Sequence, residues 1–208
     1  MTITVHHLNN SRSQRILWLL EELAADYEIV SYQRDATTNL APPELKASHP
    51  LGKSPLILDN GLRIAESGAI IQYLCERHGG EAWLPDPASE DHVRHLEWMQ
   101  FGESSFFVPV MLKIMAGRLG EGAAPIIPRI EEQLAAHIAF AEDNIRPSLH
   151  FVGDDWSAAD VLMSFPAEIA VMQGYAPKIP KLAAFVETVH SRPAWRRARE
   201  RGGPYFGW

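Results

Sequence analysis

Short alternating and clustered apolar runs open the chain and give way to helical spacing within a few residues. Ile3-Thr4-Val5-His6-His7-Leu8 predicts a strand. The polar group Asn9-Asn10-Ser11-Arg12-Ser13 ends it and offers several helix-capping side chains. From Gln14 to Ala25, Ile16, Leu17, Leu19, Leu20 and Leu23 recur at three- and four-residue spacing, which predicts a helix. Tyr27 to Tyr32 reads as a second strand. Parallel strands need a crossover such as the intervening helix, so this is a βαβ unit. A polar, proline-containing stretch over 35–49 reads as loop. Leu56-Ile57-Leu58 and Leu62-Arg63-Ile64 then flank Asp59-Asn60-Gly61, and the Asn-Gly pair is a hairpin signal. Gly68 to Arg77 is helical again, with Ile70, Ile71 and Leu74 on one side. The predicted product is a four-stranded mixed sheet with helices, complete by about residue 80.

Beyond Gly79-Gly80 and the stiff Pro85-Asp86-Pro87 link, the pattern is helical throughout. Asp91 to about Leu119 predicts one long amphipathic helix. Pro125 is placed to open the next, which runs to Asn144. Further helices are expected from Ser157, from Lys181 and from Pro193. Pro109 and Pro166 fall inside helical patterns, where kinks are expected. The division is therefore an α/β domain over 1–80, a linker over 81–90 and an all-helical domain over 91–208.

Composition narrows the class. Of 208 residues, 46% are hydrophobic and 22% charged, which fits a packed globular protein. The net charge of −7 disfavours binding to a phosphate backbone, so no nucleic-acid partner is expected. Arg192, Arg196, Arg197, Arg199 and Arg201 read as a solvated face of the last helix. The single cysteine, Cys75, excludes an internal disulfide and sits in an apolar helical run, as a small buried hydrophobe does. No secretory leader and no membrane-spanning run are visible, so a cytoplasmic location is expected. His92 and His95 share a helix face without a third ligand, and no metal is expected.

Two motifs carry candidate chemistry. Leu51-Gly52-Lys53-Ser54-Pro55-Leu56 leads into the hairpin. A cis Ser54-Pro55 bond would aim the Ser54 amide and carbonyl outward, suited to pairing with an extended peptide; an ordinary trans proline in a loop is the alternative. Glu66-Ser67 stands where a helix begins. Ser67 is either a plain cap or part of a carboxylate seat at the unpaired amides, with Glu66 holding an ammonium beside it.

Taken in order, His49-Pro50-Leu51-Gly52-Lys53-Ser54-Pro55 and Ala65-Glu66-Ser67-Gly68-Ala69-Ile70 resemble the glutathione-site signature of the cytosolic glutathione transferases. Phe151 to Asp160 is similar to that family's buried capping box, with Ser157 capping and Asp160 reaching back. The stretch from His6 to Arg15 most resembles the bacterial and fungal branch. The resemblance covers nearly the whole chain. It implies a thioredoxin-like N-terminal domain followed by an all-α domain.

It also implies glutathione as co-substrate, no other cofactor, and a homodimer. By carry-over, Glu66 and Ser67 would hold the γ-glutamyl end. The Ser54 backbone beside Pro55 would pair with the central cysteine, and Lys53, with His49 nearby, would meet the glycine carboxylate. Lys53 could equally be solvated. Serine-type members place a hydroxyl four residues before an arginine; counting back from Arg15 gives Ser11, with Asn10 and Ser13 as competitors, as donor to the thiolate.

A small hydrophobic electrophile would lie on the first long helix, at Phe101, Glu103, Phe107, Val108 and Met111. These residues read equally as core or dimer contacts. The aromatic tail Tyr205-Phe206-Gly207-Trp208 could cover the cleft. The implied activity is thiolate conjugation. Alternatives are a glutathione-dependent peroxidase or disulfide reductase, and a non-catalytic glutathione-binding regulator.

Overall fold

The computed structural model describes residues 2–206. Its elements group into two compact units. One holds the chain up to Trp83 and again from Val189; the other is Leu84–Thr188.

The first unit is built on a four-stranded sheet. Strands β1 (Ile3–Leu8), β2 (Tyr27–Tyr32), β3 (Leu56–Asp59) and β4 (Leu62–Ala65) lie in the order β2-β1-β3-β4. β1 pairs parallel with β2 and antiparallel with β3, and β3 pairs antiparallel with β4. This is the expected mixed sheet. The hairpin turns at Asn60 and Gly61, both with positive φ (49° and 83°), as its tight turn requires. Helices α1 (Ser13–Glu22) and α3 (Ser67–Arg77) pack with the sheet, and a one-turn helix α2 (Glu44–Ser48) interrupts the stretch read as loop.

α1 is buried at every position from Ser13 to Leu20. A helix buried on all sides needs a second cover. α9 (Pro193–Gly202), preceded by α8 (Pro180–Ser191), supplies it and returns the chain's end to the first unit. The last residues therefore do not remain with the helical domain, as the 91–208 division has it, and residue 80 does not complete the first unit. Nor is the basic run a solvated face throughout. Arg192 forks the Glu22 carboxylate, and Arg197 and Arg201 bind Glu21 at 2.7 and 2.8 Å. Arg201 also stacks 3.7 Å over the Tyr27 ring. Cys75 is fully buried, and burial pushes its thiol up to about 12.

The second unit is helical: α4 (Glu90–Glu103), α5 (Phe107–Leu119), α6 (Ile127–Asn144), α7 (Ala158–Ala170) and the start of α8. The predicted long helix is broken over residues 104–106. There Ser104 Oγ donates to the Gln100 carbonyl at 2.7 Å, a side-chain bond that competes with helix continuation. Pro109 consequently lies in the first turn of α5, where its missing N–H costs nothing, rather than kinking one long helix. Pro128, not Pro125, occupies the first turn of α6.

α7 is buried along its whole length and runs through Pro166. Its start carries the expected capping box. Asp160 Oδ2 accepts from the Ser157 amide at 2.7 Å, and its Oδ1 accepts from the Phe151 amide at 2.8 Å. Glu142 from α6 seats the amides of Lys181 and Leu182, each at 2.9 Å, at the start of α8. Among the described residues, no helix is long and apolar enough to cross a membrane.

Candidate active site

The two sequence motifs meet in one pocket of the first unit. His49, Lys53, Ser54 and Pro55 come from the segment before β3, and Glu66 and Ser67 from the junction of β4 and α3. All six predicted residues of this group line it, together with Arg12. Its volume is about 120 Å³.

The lower wall is fixed by Ser54. Its hydroxyl donates to the His6 carbonyl at 2.9 Å and accepts the Leu8 amide at 3.3 Å, so the segment is pinned to β1. The Ser54-Pro55 bond is cis. His49 Nδ1 accepts the Leu51 amide at 3.3 Å, which shapes the rim.

The upper wall departs from an ordinary helix start in three ways. Ser67 is not the cap but the first helical residue, and Glu66 occupies the cap position with no side chain bonded to the helix amides. Glu66 holds φ 70° and ψ 120°, a conformation that costs a non-glycine residue free energy. The Ser67 hydroxyl is 2% exposed and has no hydrogen-bond partner among the described residues. A buried, unsatisfied hydroxyl costs about 1–3 kcal/mol. Such departures gather where a ligand supplies the missing partner. Open amides and the partial positive charge at the start of α3 make that partner an anion.

The residues expected to face a sulfur lie differently. Asn10 Oδ1 accepts the Phe206 amide at 2.6 Å, and Arg34 binds the Asn10 carbonyl at 3.3 Å. Ser11 and Ser13 are buried, with their hydroxyls 2.7 Å apart, and Ser13 Oγ lies 2.8 Å from His7 Nδ1. Burial holds His7 down to about 4, partly offset by its bond to the Gly202 backbone. None of Asn10, Ser11 and Ser13 is in the pocket wall; Arg12 is.

Arg12 was missing from the sequence-derived set. Its signal was available. A cation at the cap position of α1 meets the positive end of the helix, and the first turn holds no acidic residue to offset it. Burial lowers its pKa, and the nearby Glu66 carboxylate opposes that shift.

In the helical unit, Phe101 lines a larger cavity of about 680 Å³ with Trp98, Phe140 and Phe151. The arginines there are paired, Arg94 with Glu97 and Arg146 with Asp91, each at 3.0 Å. Phe107 packs on Phe165, Glu103 is half-buried, and Val108 and Met111 are exposed. The five residues thus share no single cavity. Tyr205 is buried; Gly207 and Trp208 of the proposed aromatic cover lie outside the described residues.

Comparison with known proteins agrees with this geometry. The family model for the glutathione S-transferase N-terminal domain matches residues 1–76. The chain is 32% identical to glutathione S-transferase 3 of Schizosaccharomyces pombe, an alignment spanning 96% of this chain and 87% of that one. It is 31% identical to glutathione S-transferase 1 of Saccharomyces cerevisiae, over 96% and 94%. A crystal structure of a glutathione S-transferase from Actinobacillus pleuropneumoniae superposes with a TM-score of 0.86 at 32% identity, covering 97% of this chain and 93% of that one. A sphingomonad glutathione S-transferase complexed with glutathione shares the fold, with a TM-score of 0.79 at 22% identity over 96% and 98%. With relatives more than 30% identical over nearly the whole chain, the chain belongs to the glutathione S-transferase family.

Proposed function

We propose that the pocket between Ser54 and Ser67 binds glutathione and that the protein joins glutathione, through its sulfur, to small hydrophobic electrophiles. The observation that carries this reading is the Ser67 hydroxyl, buried without a partner at an uncapped helix start. The γ-glutamyl carboxylate satisfies it, together with the first amides of α3. Glu66 meets the adjacent ammonium. The backbone of Ser54 pairs with the cysteinyl residue as an added strand would. Lys53 and His49 flank the glycine carboxylate. The wall offers Arg12 and Lys53 against Glu66, which matches a ligand with two carboxylates and one ammonium.

A free thiol ionises near 8.5, so only a few per cent is thiolate at neutral pH. Lowering that by about two units takes about 2.7 kcal/mol of preference for the anion. A charge-receiving contact of about 1.5–3 kcal/mol and a helix end of about 0.3–1 kcal/mol supply it. The proton leaves to solvent, and the thiolate forms a carbon–sulfur bond with the electrophile; on a chloronitroarene the carbon–chlorine bond breaks and chloride departs to solvent. The exposed apolar side chains Val108, Met111 and Met115 on α5 offer surface for such a molecule. A homodimer is the expected assembly.

Titration calorimetry with millimolar glutathione, followed by a chloronitroarene assay, tests this. Heat of binding, a raised melting temperature and conjugation are expected. Absence of both heat and stabilisation would remove the pocket assignment. Binding with activity confined to hydroperoxides or hydroxyethyl disulfide would keep the pocket and replace the reaction.

A further inference from the structure

The cavity of about 680 Å³ in the helical unit plays no part in the glutathione reading, and its whole wall comes from residues 84–188. Its volume falls in the range of about 300–1,000 Å³ that small-molecule sites occupy. Aromatic rings dominate the wall. Trp98 is their hub, with ring centroids 5.4 Å from Phe101, 5.7 Å from Phe140 and 4.7 Å from Phe151. Phe101 and Phe140 also lie 5.1 Å apart. Trp98 and Phe151 are buried, whereas Phe140 is 49% exposed although it belongs to the same cluster. A phenyl ring already ordered by its neighbours, yet half bare, can take a second flat ring at little cost in side-chain freedom.

The polar groups narrow the ligand further. The indole Nε1–H of Trp98 makes no hydrogen bond among the described residues, although the ring is only 6% exposed. A buried indole N–H ordinarily has an acceptor, so an unmet one in an aromatic wall calls for an oxygen. The charges are already matched. Arg94 binds Glu97 at 3.0 Å, and Arg146 binds Asp91 at 3.0 Å with Asp154 at 3.8 Å. An anion entering here meets three carboxylates, and a cation meets two guanidiniums. The charge that fits is none.

We propose that this cavity binds a flat, uncharged aromatic molecule of two or three rings whose carbonyl oxygen accepts the Trp98 N–H, at a site separate from that of the conjugated electrophile. The rings stack on Phe140, and no bond is made or broken. Of the five residues expected to meet an electrophile, only Phe101 lines the cavity; Glu103, Phe107, Val108 and Met111 do not. The proposal stands independently of the glutathione pocket, so the failure of one reading is told apart from the failure of the other.

The test is calorimetry on the full chain with 2-acetylnaphthalene, with 2-ethylnaphthalene, which lacks the oxygen, and with the anion 2-naphthoate, each with and without glutathione. Wild type, Trp98→Phe and Phe140→Ala are compared. Wild type is expected to bind the ketone about fivefold more tightly than the hydrocarbon, the value of one neutral hydrogen bond, and to bind the anion more weakly than the ketone. Trp98→Phe keeps a ring in place and should erase the preference for the ketone while leaving the hydrocarbon's affinity unchanged. Phe140→Ala should weaken both uncharged ligands about fivefold. Should Trp98→Phe fail to fold, the half-exposed Phe140 and the ligand series still decide. Glutathione should leave all these affinities unchanged, and the ketone should leave the KM for a chloronitroarene unchanged. No binding by wild type overturns the proposal, as does a preference for the ketone that survives in Trp98→Phe. Competition with glutathione or with the chloronitroarene overturns it by placing the ketone elsewhere. So does light scattering that shows a lower particle mass for Phe140→Ala while wild type binds no ketone, which would make the cavity a contact between copies of the chain.

Discussion

The carboxylate of Glu22, at the end of α1, grips the guanidinium of Arg192, which lies 170 residues further along the chain. Arg192 Nη2 reaches Oε2 at 2.8 Å, Nε bonds Oε1, and Trp18 Nε1 donates to the same Oε1 at 2.7 Å. Removing one partner leaves a charge with little access to water, since the two side chains are 11% and 26% exposed. Glu22→Gln is expected to lower stability by about 2–3 kcal/mol, somewhat less than for a fully buried pair. Urea denaturation of the variant checks this, and a midpoint equal to wild type would refute it.

Ser67→Ala should separate stability from binding. The hydroxyl makes no bond within the described protein, so its loss leaves the urea midpoint unchanged or higher. The same change should weaken glutathione binding about tenfold or more, the value of a hydrogen bond to a charged group. Melting curves and calorimetry on one preparation give both readings.

Glu66→Gly relieves a backbone conformation that glycine adopts freely, and is expected to stabilise the protein by about 1 kcal/mol. It also removes the carboxylate opposite the ligand's ammonium, so conjugation should fall at least tenfold. A destabilised variant would show that φ 70° at this position carries no cost.

His7 gives stability a pH dependence. Its folded value is about 4, below the usual 6.5, because burial disfavours the charged ring. The unfolded chain therefore binds the extra proton first as pH falls. The contribution is complete above pH 6.5 and drains away between 6.5 and 4, at most on the order of 3 kcal/mol. Urea midpoints across that range should slope downward in wild type and much less in His7→Asn. Parallel slopes would assign the acid sensitivity to other groups.

Asp160→Ala removes the acceptor of the Ser157 and Phe151 amides at the start of a fully buried helix. Loss of the cap and of bonds to buried donors is expected to cost about 3 kcal/mol. Circular dichroism during denaturation reads the change.

Much of this architecture was written in the order of residues. The alternation in β1, the helical spacing through Leu20 and the Asn60-Gly61 turn each act locally, so the pattern predicts them. The one-turn helix at Glu44–Ser48 is too short to display a period. The break after Glu103 is set by a serine hydroxyl bonding backward, which polarity alone does not reveal. At the site, the two motifs gave the pocket wall because their residue types fit an amino-acid ligand. The contacts that bury Ser11 and Ser13 were not legible. They depend on His7 from β1 meeting Ser13, a packing that a local pattern does not encode. Arg12 was legible in principle as a charge on the wrong end of a helix.

The return of α9 to α1 also has a temporal meaning. During synthesis the opening βαβ unit emerges with one flank of its central helix bare, and it stays so while more than a hundred residues of helical protein are made. Only when α9 leaves the ribosome do Arg192, Arg197 and Arg201 find Glu22 and Glu21. A chain halted after Thr188 would display that uncovered apolar flank of α1.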